Sequence, residues 1–296
     1  MNLNDLAYLV AIEEEQHFKK AAARCFVSQP TLSSQLKKLE EELGVLLVER
    51  TNRRVRMTDI GTVIADQARQ ILGQTNALRD IARSHHDPMV GDLHVGIIPT
   101  IAPYLLPLVM PVLGKSYPKL KLWLHEHRTD TLLNYLRQGK LDLLLLALPV
   151  QSREFVHLDL FKEPFRLAVS QEDPLFNKRE LNLTDLDHRE VLLLEEGHCL
   201  RGQALEVCLE SGANENMTFK ATSLETLRQM VGEGMGITLV PELAVPKRIK
   251  KWDRVRYLPF VNSIPARRIG LLYRSNSYRE ITFKKMAELI KVTIKL

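Results

Sequence analysis

The chain has little cysteine, few aromatic residues and no long apolar run. Three cysteines in 296 residues, an odd number, do not frame a disulfide-stapled secreted domain and point to a reducing cytosol. The longest apolar runs, such as Leu143–Val150, are too short to span a bilayer, so no membrane partner is expected. Met1-Asn2-Leu3-Asn4-Asp5 has neither the basic nor the apolar region of a signal peptide, and a cytoplasmic protein is expected. Metal ligands are also lacking. His125 and His127 share one face of a strand without a third ligand, and His85-His86 have no carboxylate or cysteine partner at ligand spacing. Gly234-Met235-Gly236 lacks the third glycine of a dinucleotide loop, since position 239 is leucine, and it follows a helix rather than a strand. No cofactor and no metal are expected. The formal charge of +5 favours an acidic partner only mildly.

What is present is segregated along the chain. Leu3, Leu6, Leu9, Val10 and Ile12 form an apolar helical stripe, closed by Glu13-Glu14-Glu15. A second helix is expected over Lys19–Cys25, where small alanines admit a close neighbour and Cys25 serves packing. Phe26-Val27 leaves room only for a turn. Ser28 suits the N-cap of a third helix, and Pro30 falls in its first turn, where proline costs least. Leu32, Leu36, Leu39 and Leu43 should face inward, and Gly44 should end the helix. A short connection followed by a helix with a polar N-terminus is a helix-turn-helix arrangement. Residues 1–60 carry nine Lys/Arg against nine Asp/Glu, a balance of zero. The signal is therefore clustering: Arg50, Arg53, Arg54 and Arg56 gather on a short hairpin, or wing, suited to phosphates.

From Thr58, Ile60, Val63, Ile64, Ala68, Ile71, Leu72, Leu78 and Ile81 continue at helical spacing to about Arg83. A long helix with one apolar seam cannot bury itself alone, so pairing with a second copy is expected. Ser84-His85-His86-Asp87-Pro88 breaks it as a hinge. Strands then alternate with helices: Leu93–Ile98, Pro103–Leu113 (interrupted by Pro107 and Pro111), Leu120–Leu124, Asp130–Arg137 and Leu141–Leu148. A second set runs through Phe165–Ser170, Val191–Leu194, a cysteine-bearing helix, Leu224–Val231 and Ile237–Val240. Arg267–Tyr273 is a late strand returning to the first subdomain, and Ile281–Ile294 a closing helix. Such alternation predicts an α/β domain with parallel sheets, arranged as two lobes around a cleft.

Two cysteines fall in that second set. Ala204, Leu205, Cys208 and Leu209 repeat at helical spacing, so Cys208 should face the core. Cys199 lies at the helix start, where the helix N-terminus and the guanidinium of Arg201 would both favour a thiolate. If 199–208 is one helix, about 1.5 Å per residue separates the two Cα atoms by about 13.5 Å, beyond the roughly 7 Å a disulfide tolerates. The pair is therefore either two unrelated structural cysteines or a switch whose partners meet only after local unfolding.

Ala21-Ala22, Val27-Ser28-Gln29-Pro30-Thr31-Leu32-Ser33, Leu39-Glu40, Leu43-Gly44, Glu49-Arg50 and Thr58-Asp59-Ile60-Gly61 resemble the DNA-binding domain of LysR-type transcriptional regulators. Gly234–Pro241 is similar to the glycine turn of their effector domains. Gly96–Thr100, Pro103–Pro107, Leu124-His125-Glu126, Glu196–Arg201 and Ala221–Arg228 further resemble the peroxide-sensing members of the family. The resemblance implies a winged helix-turn-helix domain over 1–58, a linker helix and hinge over 59–88, and an effector domain over 89–296. The effector would be two-lobed and periplasmic-binding-protein-like, lobe I being about 89–162 plus 268–296 and lobe II about 163–267. It also implies that Gln29, Pro30, Thr31, Ser33, Ser34, Lys37, Arg50, Arg53 and Arg54 meet DNA. Cys199 would react with hydrogen peroxide and Cys208 would resolve it as a disulfide. Thr100, Thr129, His198, Arg201 and Arg267 would form the peroxide pocket. Relatives commonly carry Asp where this chain has Gly202 and His where it has Thr218. Implied partners are an operator duplex, a homotetramer built as a dimer of dimers, RNA polymerase, and a glutaredoxin or thioredoxin system for re-reduction. The expected function is peroxide-responsive control of oxidative-stress defence genes, not enzymatic turnover. A metabolite-sensing regulator with passive cysteines is the alternative, and a thiol peroxidase ranks behind it.

Overall fold

Local capping fixes where the N-terminal helices begin. In the computed structural model, which describes residues 1–50, 55–84, 87–150, 152, 154–248 and 253–294, Asn2 caps α1 (Leu3–Glu15) by accepting the Asn4 and Asp5 N–H groups. Helix α2 (Phe18–Arg24) buries Ala21 and Ala22. Helix α3 (Gln29–Leu43) starts at Ser28, whose hydroxyl accepts the Thr31 N–H at 3.2 Å, and ends at Gly44 with φ 69°. Leu9, Ile12, Ala21, Ala22, Leu32, Leu36 and Leu39 close a core with Leu47 and Val48, and Cys25 packs against it. Two expected core leucines stay outside. Leu3 and Leu43 are 47% and 37% exposed, each lying in a terminal turn that overhangs its neighbours.

Strands β1 (Val48–Arg50) and β2 (Val55–Met57) pair antiparallel as the base of the wing. Its tip, with the predicted Arg53 and Arg54, lies outside the described residues, as does the side chain of Arg50. Glu40 of α3 holds the wing by accepting the Leu47 and Val48 N–H groups at 2.9 and 3.2 Å. Helix α4 (Asp59–Ser84) begins behind Thr58, whose hydroxyl accepts the Gly61 N–H and donates to the Leu46 carbonyl. The seam expected along α4 divides in two. Ala68, Ile71 and Leu72 pack on Leu6 and Val10 of α1, whereas Ile60, Val63 and Leu78 remain exposed. Helical spacing marks apolar residues but cannot tell which of two faces each one joins. The side chain of Ile81 and the paired histidines 85 and 86 lie outside the described residues.

The C-terminal unit is built on strands that meet in one mixed sheet. Strands β3 (Gly91–Ile97), β4 (Leu120–Glu126) and β5 (Leu143–Leu148) are parallel, with β3 in the middle. Their crossovers are α5 (Ala102–Ser116) and α6 (Thr129–Arg137). Pro107 and Pro111 do not interrupt α5 as expected. With Pro103 they recur every four residues on the exposed face, where water can satisfy the carbonyls they leave free.

The next strand, β6 (Phe155–Ser170), is 16 residues long and serves both lobes. Its first part pairs with β11 (Ala266–Arg274), and its second with β9 (Thr238–Pro241) and β10 (Val255–Pro259), all antiparallel. Strand β11 also runs antiparallel to β5. The sheet is therefore mixed where alternation predicted it parallel. Strands that join lobes without a crossover helix need not run parallel to their neighbours. A separate parallel pair, β7 (Glu190–Leu194) and β8 (Asn214–Ala221), brackets α7 (Cys199–Ser211). Helices α8 (Leu224–Gly232) and α9 (Glu280–Thr293) complete the unit. Each lobe has its own core: Leu93, Leu105, Leu132, Leu144 and Phe283 in lobe I, Phe165, Leu167, Leu192, Val207 and Leu239 in lobe II.

Two glycines of α4 test this packing with opposite signs. A Cβ at Gly61 would lie 2.0 Å from the Leu47 carbonyl oxygen, whereas one at Gly73 meets nothing within 4 Å. Gly61→Ala should destabilise the protein by about 1–3 kcal/mol, as overpacking does. Gly73→Ala should stabilise it by about 0.5–1 kcal/mol. Thermal denaturation followed by circular dichroism should move the first variant down and the second up.

Candidate redox site and nucleic-acid interface

Helix α7 holds both effector cysteines as free thiols. Gly197, with φ 90°, turns the chain into it, and His198 occupies the N-cap without bonding through its side chain. The buried stripe is Leu200, Ala204, Val207, Cys208 and Ser211. Leu209, expected in that stripe, is 85% exposed; the true repeat is shifted by one position towards Val207. Nine residues at about 100° each bring Cys199 and Cys208 half a turn apart, on opposite faces. Accordingly Cys199 is half-buried against the lobe I core, and Cys208 is buried within the lobe II core.

The two thiols have different surroundings. Burial pushes the Cys199 thiol up, opposed by the Arg267 charge, then the Thr129 hydroxyl and the backbone N–H groups of Ala147 and Leu200. Cys208 is pushed up to about 11 by burial and, secondarily, by the Glu215 carboxylate. Among the described residues no cation opposes this rise.

Around Cys199 the predicted pocket residues divide by lobe. Thr100 follows β3 and Thr129 opens α6, so both belong to lobe I. The Thr129 hydroxyl is buried, acts on the Cys199 sulfur and otherwise has no hydrogen-bond partner. Arg267, on β11, is buried and donates from Nη1 to Thr100 Oγ1 at 3.1 Å and from Nη2 to the Thr100 carbonyl at 3.0 Å. Its Nε–H is taken by Glu163 Oε2 at 2.7 Å. His198 is buried, and burial with the nearby Arg128 charge holds its imidazole below the usual range. Its Nε2 has no partner among the described residues. Thus Arg267 and Thr129 act on the Cys199 sulfur, Thr100 is tied to them through Arg267, and His198 is its neighbour along the chain.

Arg201 does not join them. It makes a bidentate pair with Glu215 of β8 at 2.5 and 2.9 Å. Two residues along a helix is about 200° of rotation, so a neighbour in sequence at that spacing points away from Cys199. The cation near the thiol is Arg267, remote in sequence. Gly202 is exposed with open space around its Cα, and Thr218 is exposed on β8 with its hydroxyl bonded to Asn216. Sequence reasoning missed Glu163 and Arg128. Glu163 stands between Lys162 and Pro164 on what read as featureless chain, and only the β6–β11 pairing reveals its partner. Arg128 pairs with Glu195 across the loop before Cys199.

On the N-terminal unit, Gln29, Pro30, Thr31, Ser34 and Lys37 are exposed along the first half of α3, and Ser33 is half-buried. The Thr31 hydroxyl already bonds Ser28 at 2.7 Å, leaving Gln29 and Ser34 freer to meet an external partner. Exposed Arg56 stands on β2. Among the described residues no group of three or more His, Cys, Asp or Glu could hold a metal, and no helix is long and apolar enough to cross a membrane.

The comparisons with known proteins cover both units. Residues 3–62 match the bacterial regulatory helix-turn-helix protein of the lysR family, and residues 86–293 the LysR substrate binding domain. The chain is 48% identical over 291 residues to the DNA-binding transcriptional dual regulator OxyR of Escherichia coli K12, covering 98% of this chain and 95% of that one. A full-length OxyR from Pseudomonas aeruginosa, with aspartate in place of a cysteine, superposes with a TM-score of 0.79 at 36% identity, covering 99% and 98% of the two chains. The oxidised form of an OxyR superposes with a TM-score of 0.65 at 47% identity, covering 70% of this chain and 97% of that one. A helix-turn-helix with a winged base, a linking helix and a two-lobed α/β domain, matched along nearly the whole chain, make this protein a member of the LysR family of bacterial transcriptional regulators.

Proposed function

We propose that this chain is a hydrogen-peroxide-responsive transcriptional regulator, with Cys199 as the reacting thiol and Cys208 as the resolving one. The observation that carries the reading is the pair of thiols on opposite faces of α7, the first beside Arg267 and Thr129, the second buried without a cation. The Cys199 thiolate attacks one peroxide oxygen. An S–O bond forms, the O–O bond breaks, and the departing hydroxide takes up a proton and leaves as water. Thr129, Thr100 and the unpartnered His198 Nε2 supply hydrogen-bonding groups for a small molecule with two hydroxyls. The Cys208 thiol then displaces the sulfenic hydroxyl, forming the S–S bond and releasing a second water. Two thiols have lost two electrons to one peroxide. The reaction is stoichiometric signalling, not turnover.

The bond cannot form while α7 is intact, so oxidation unravels the helix and shifts lobe II. The exposed Ile60, Val63 and Leu78 of α4 fit pairing with a second copy, and the family suggests a dimer of dimers. Residues 1–58 would bind DNA, 59–88 link and pair the chains, and 89–296 sense peroxide, in a cytoplasmic protein. Changed dimer geometry would alter half-site spacing on the operator and contact with RNA polymerase, while a glutaredoxin or thioredoxin system would reset the thiols. The genes under control would be those of oxidative-stress defence.

Peptide mapping after mild peroxide should find a Cys199–Cys208 disulfide, and amides over 199–211 should lose hydrogen-exchange protection. Cys199→Ser should abolish the response; Cys208→Ala should still form sulfenic acid at Cys199 without the exchange change. A bridge through Cys25, or a 199–208 bridge with unchanged protection, would refute this switch. Burial raises the Cys199 thiol, so its reactive thiolate should grow as pH rises. Its reaction with peroxide should quicken about tenfold per pH unit until the midpoint is reached, measured by rapid quench.

The DNA reading is tested separately. Lys37→Ala should weaken specific and nonspecific duplexes alike and reduce the salt slope by about one. Gln29→Ala should cost about 1–3 kcal/mol on the operator alone. An unchanged slope would remove Lys37 from the phosphate contacts.

A further inference from the structure

Glu163 and Arg267 form an ion pair in which both side chains are almost wholly shielded from solvent. Both stand where β6 and β11 pass from one lobe to the other, paired in register with each other. Each group is fully engaged. Glu163 Oε2 accepts Arg267 Nε–H at 2.7 Å, and Oε1 accepts the Leu243 N–H at 2.9 Å. Arg267 is thereby held by its Nε edge, with Nη1 and Nη2 fixed on Thr100. A guanidinium bound at both ends cannot turn, and its remaining field falls on Cys199.

We propose that Glu163 tempers Cys199 through Arg267: its buried carboxylate offsets part of the positive charge that would otherwise reach the sulfur, while Thr100 holds the guanidinium in place. The proposal rests on the reading of Cys199 as the reacting thiol. An arginine alone beside the sulfur would favour the thiolate strongly. An arginine already paired with a buried carboxylate favours it less, because the two charges act on the sulfur with opposite sign. The groups facing Cys199 are Arg267 from β11, the Thr129 hydroxyl from α6, the Ala147 backbone N–H from β5 and the Leu200 N–H from α7 itself. His198 precedes it, with Arg128 acting on that imidazole. Tyr104 of α5 also feels Arg267. Among these, only the Arg267 charge carries a buried counter-ion fixed to its rear. Loss of that carboxylate would leave the guanidinium in place on Thr100 with its full field directed at the sulfur.

The test is alkylation of Cys199 by iodoacetamide as a function of pH in the reduced full-length protein, quantified by mass spectrometry of the Cys199 peptide. Glu163→Gln should move the midpoint about one pH unit to the acid side, so that alkylation well below the wild-type midpoint is about tenfold faster. Glu163→Asp, whose carboxylate is drawn back by one methylene, should give a smaller acid shift, about half a pH unit, with alkylation about threefold faster. If the Gln variant does not fold, the Asp variant decides alone. A midpoint that stays in place or moves to the alkaline side overturns the proposal, since a residue needed only for packing would alter stability and leave the titration unmoved. The measurement uses no peroxide. A wild-type Cys199 that alkylates but never forms sulfenic acid would overturn the sensing reading while leaving the Glu163 comparison intact.

Discussion

The geometry of one helix governs the effector half of the molecule. A helix advances about 1.5 Å and turns about 100° per residue, so positions 199 and 208 are separated along the axis and on opposite faces. The separation forbids a disulfide. The opposition sends one thiol towards lobe I and buries the other in lobe II. The same helix thus holds two thiols in different chemical environments and keeps them apart for as long as it stays folded. Everything that stabilises α7 sets a threshold against bond formation: its αL end at Gly212, the Arg201–Glu215 pair, and the burial of Leu200, Ala204 and Val207.

Reactivity at the helix start is a balance of opposing effects rather than the gift of one favourable charge. Burial works against the thiolate, while Arg267, Thr129 and two backbone N–H groups work for it. The helix N-terminus and Arg201, which look sufficient from the sequence, are joined or replaced by groups from β5, α6 and β11. Those groups belong to lobe I or to the strands between lobes. The surroundings of Cys199 are therefore drawn from both lobes, and neither lobe alone assembles them.

What could be read from the sequence followed the range of the interactions. Helix starts at Ser28 and Thr58, the stop at Gly44 and the turn before α3 rest on contacts within a few residues, and each appears as expected. Cys208 was legible as a core residue because helical periodicity is local. Arg201 was misread for the same reason: closeness in sequence stood in for closeness in space. Glu163 and Arg267 are 104 residues apart, and nothing in the local pattern of Lys162-Glu163-Pro164 announces a buried carboxylate. Strand β8 escapes the sequence pattern because exposed polar residues obscure its alternation, and β10 because its five residues are too few to show a period. The direction of strands failed where β6 and β11 cross between lobes, since the alternation rule presumes a helix in every connection.

The single strand β6, shared by two separate cores, bears on how the protein recovers. Its first part is bonded into lobe I and its second into lobe II, so the strand frame that joins the two cores does not include α7. If α7 unravelled, it would leave behind part of the surface it packs on: Leu192, Leu193 and Leu194 of β7 and the rest of the lobe II core. Were the proposed sulfur–sulfur bond to form and then be cut, the segment would refold against a surviving template instead of searching for one. Such a device would behave as an erasable memory. How long it remembered a pulse of oxidant would then be decided by the chemistry of erasure, not by the slowness of refolding.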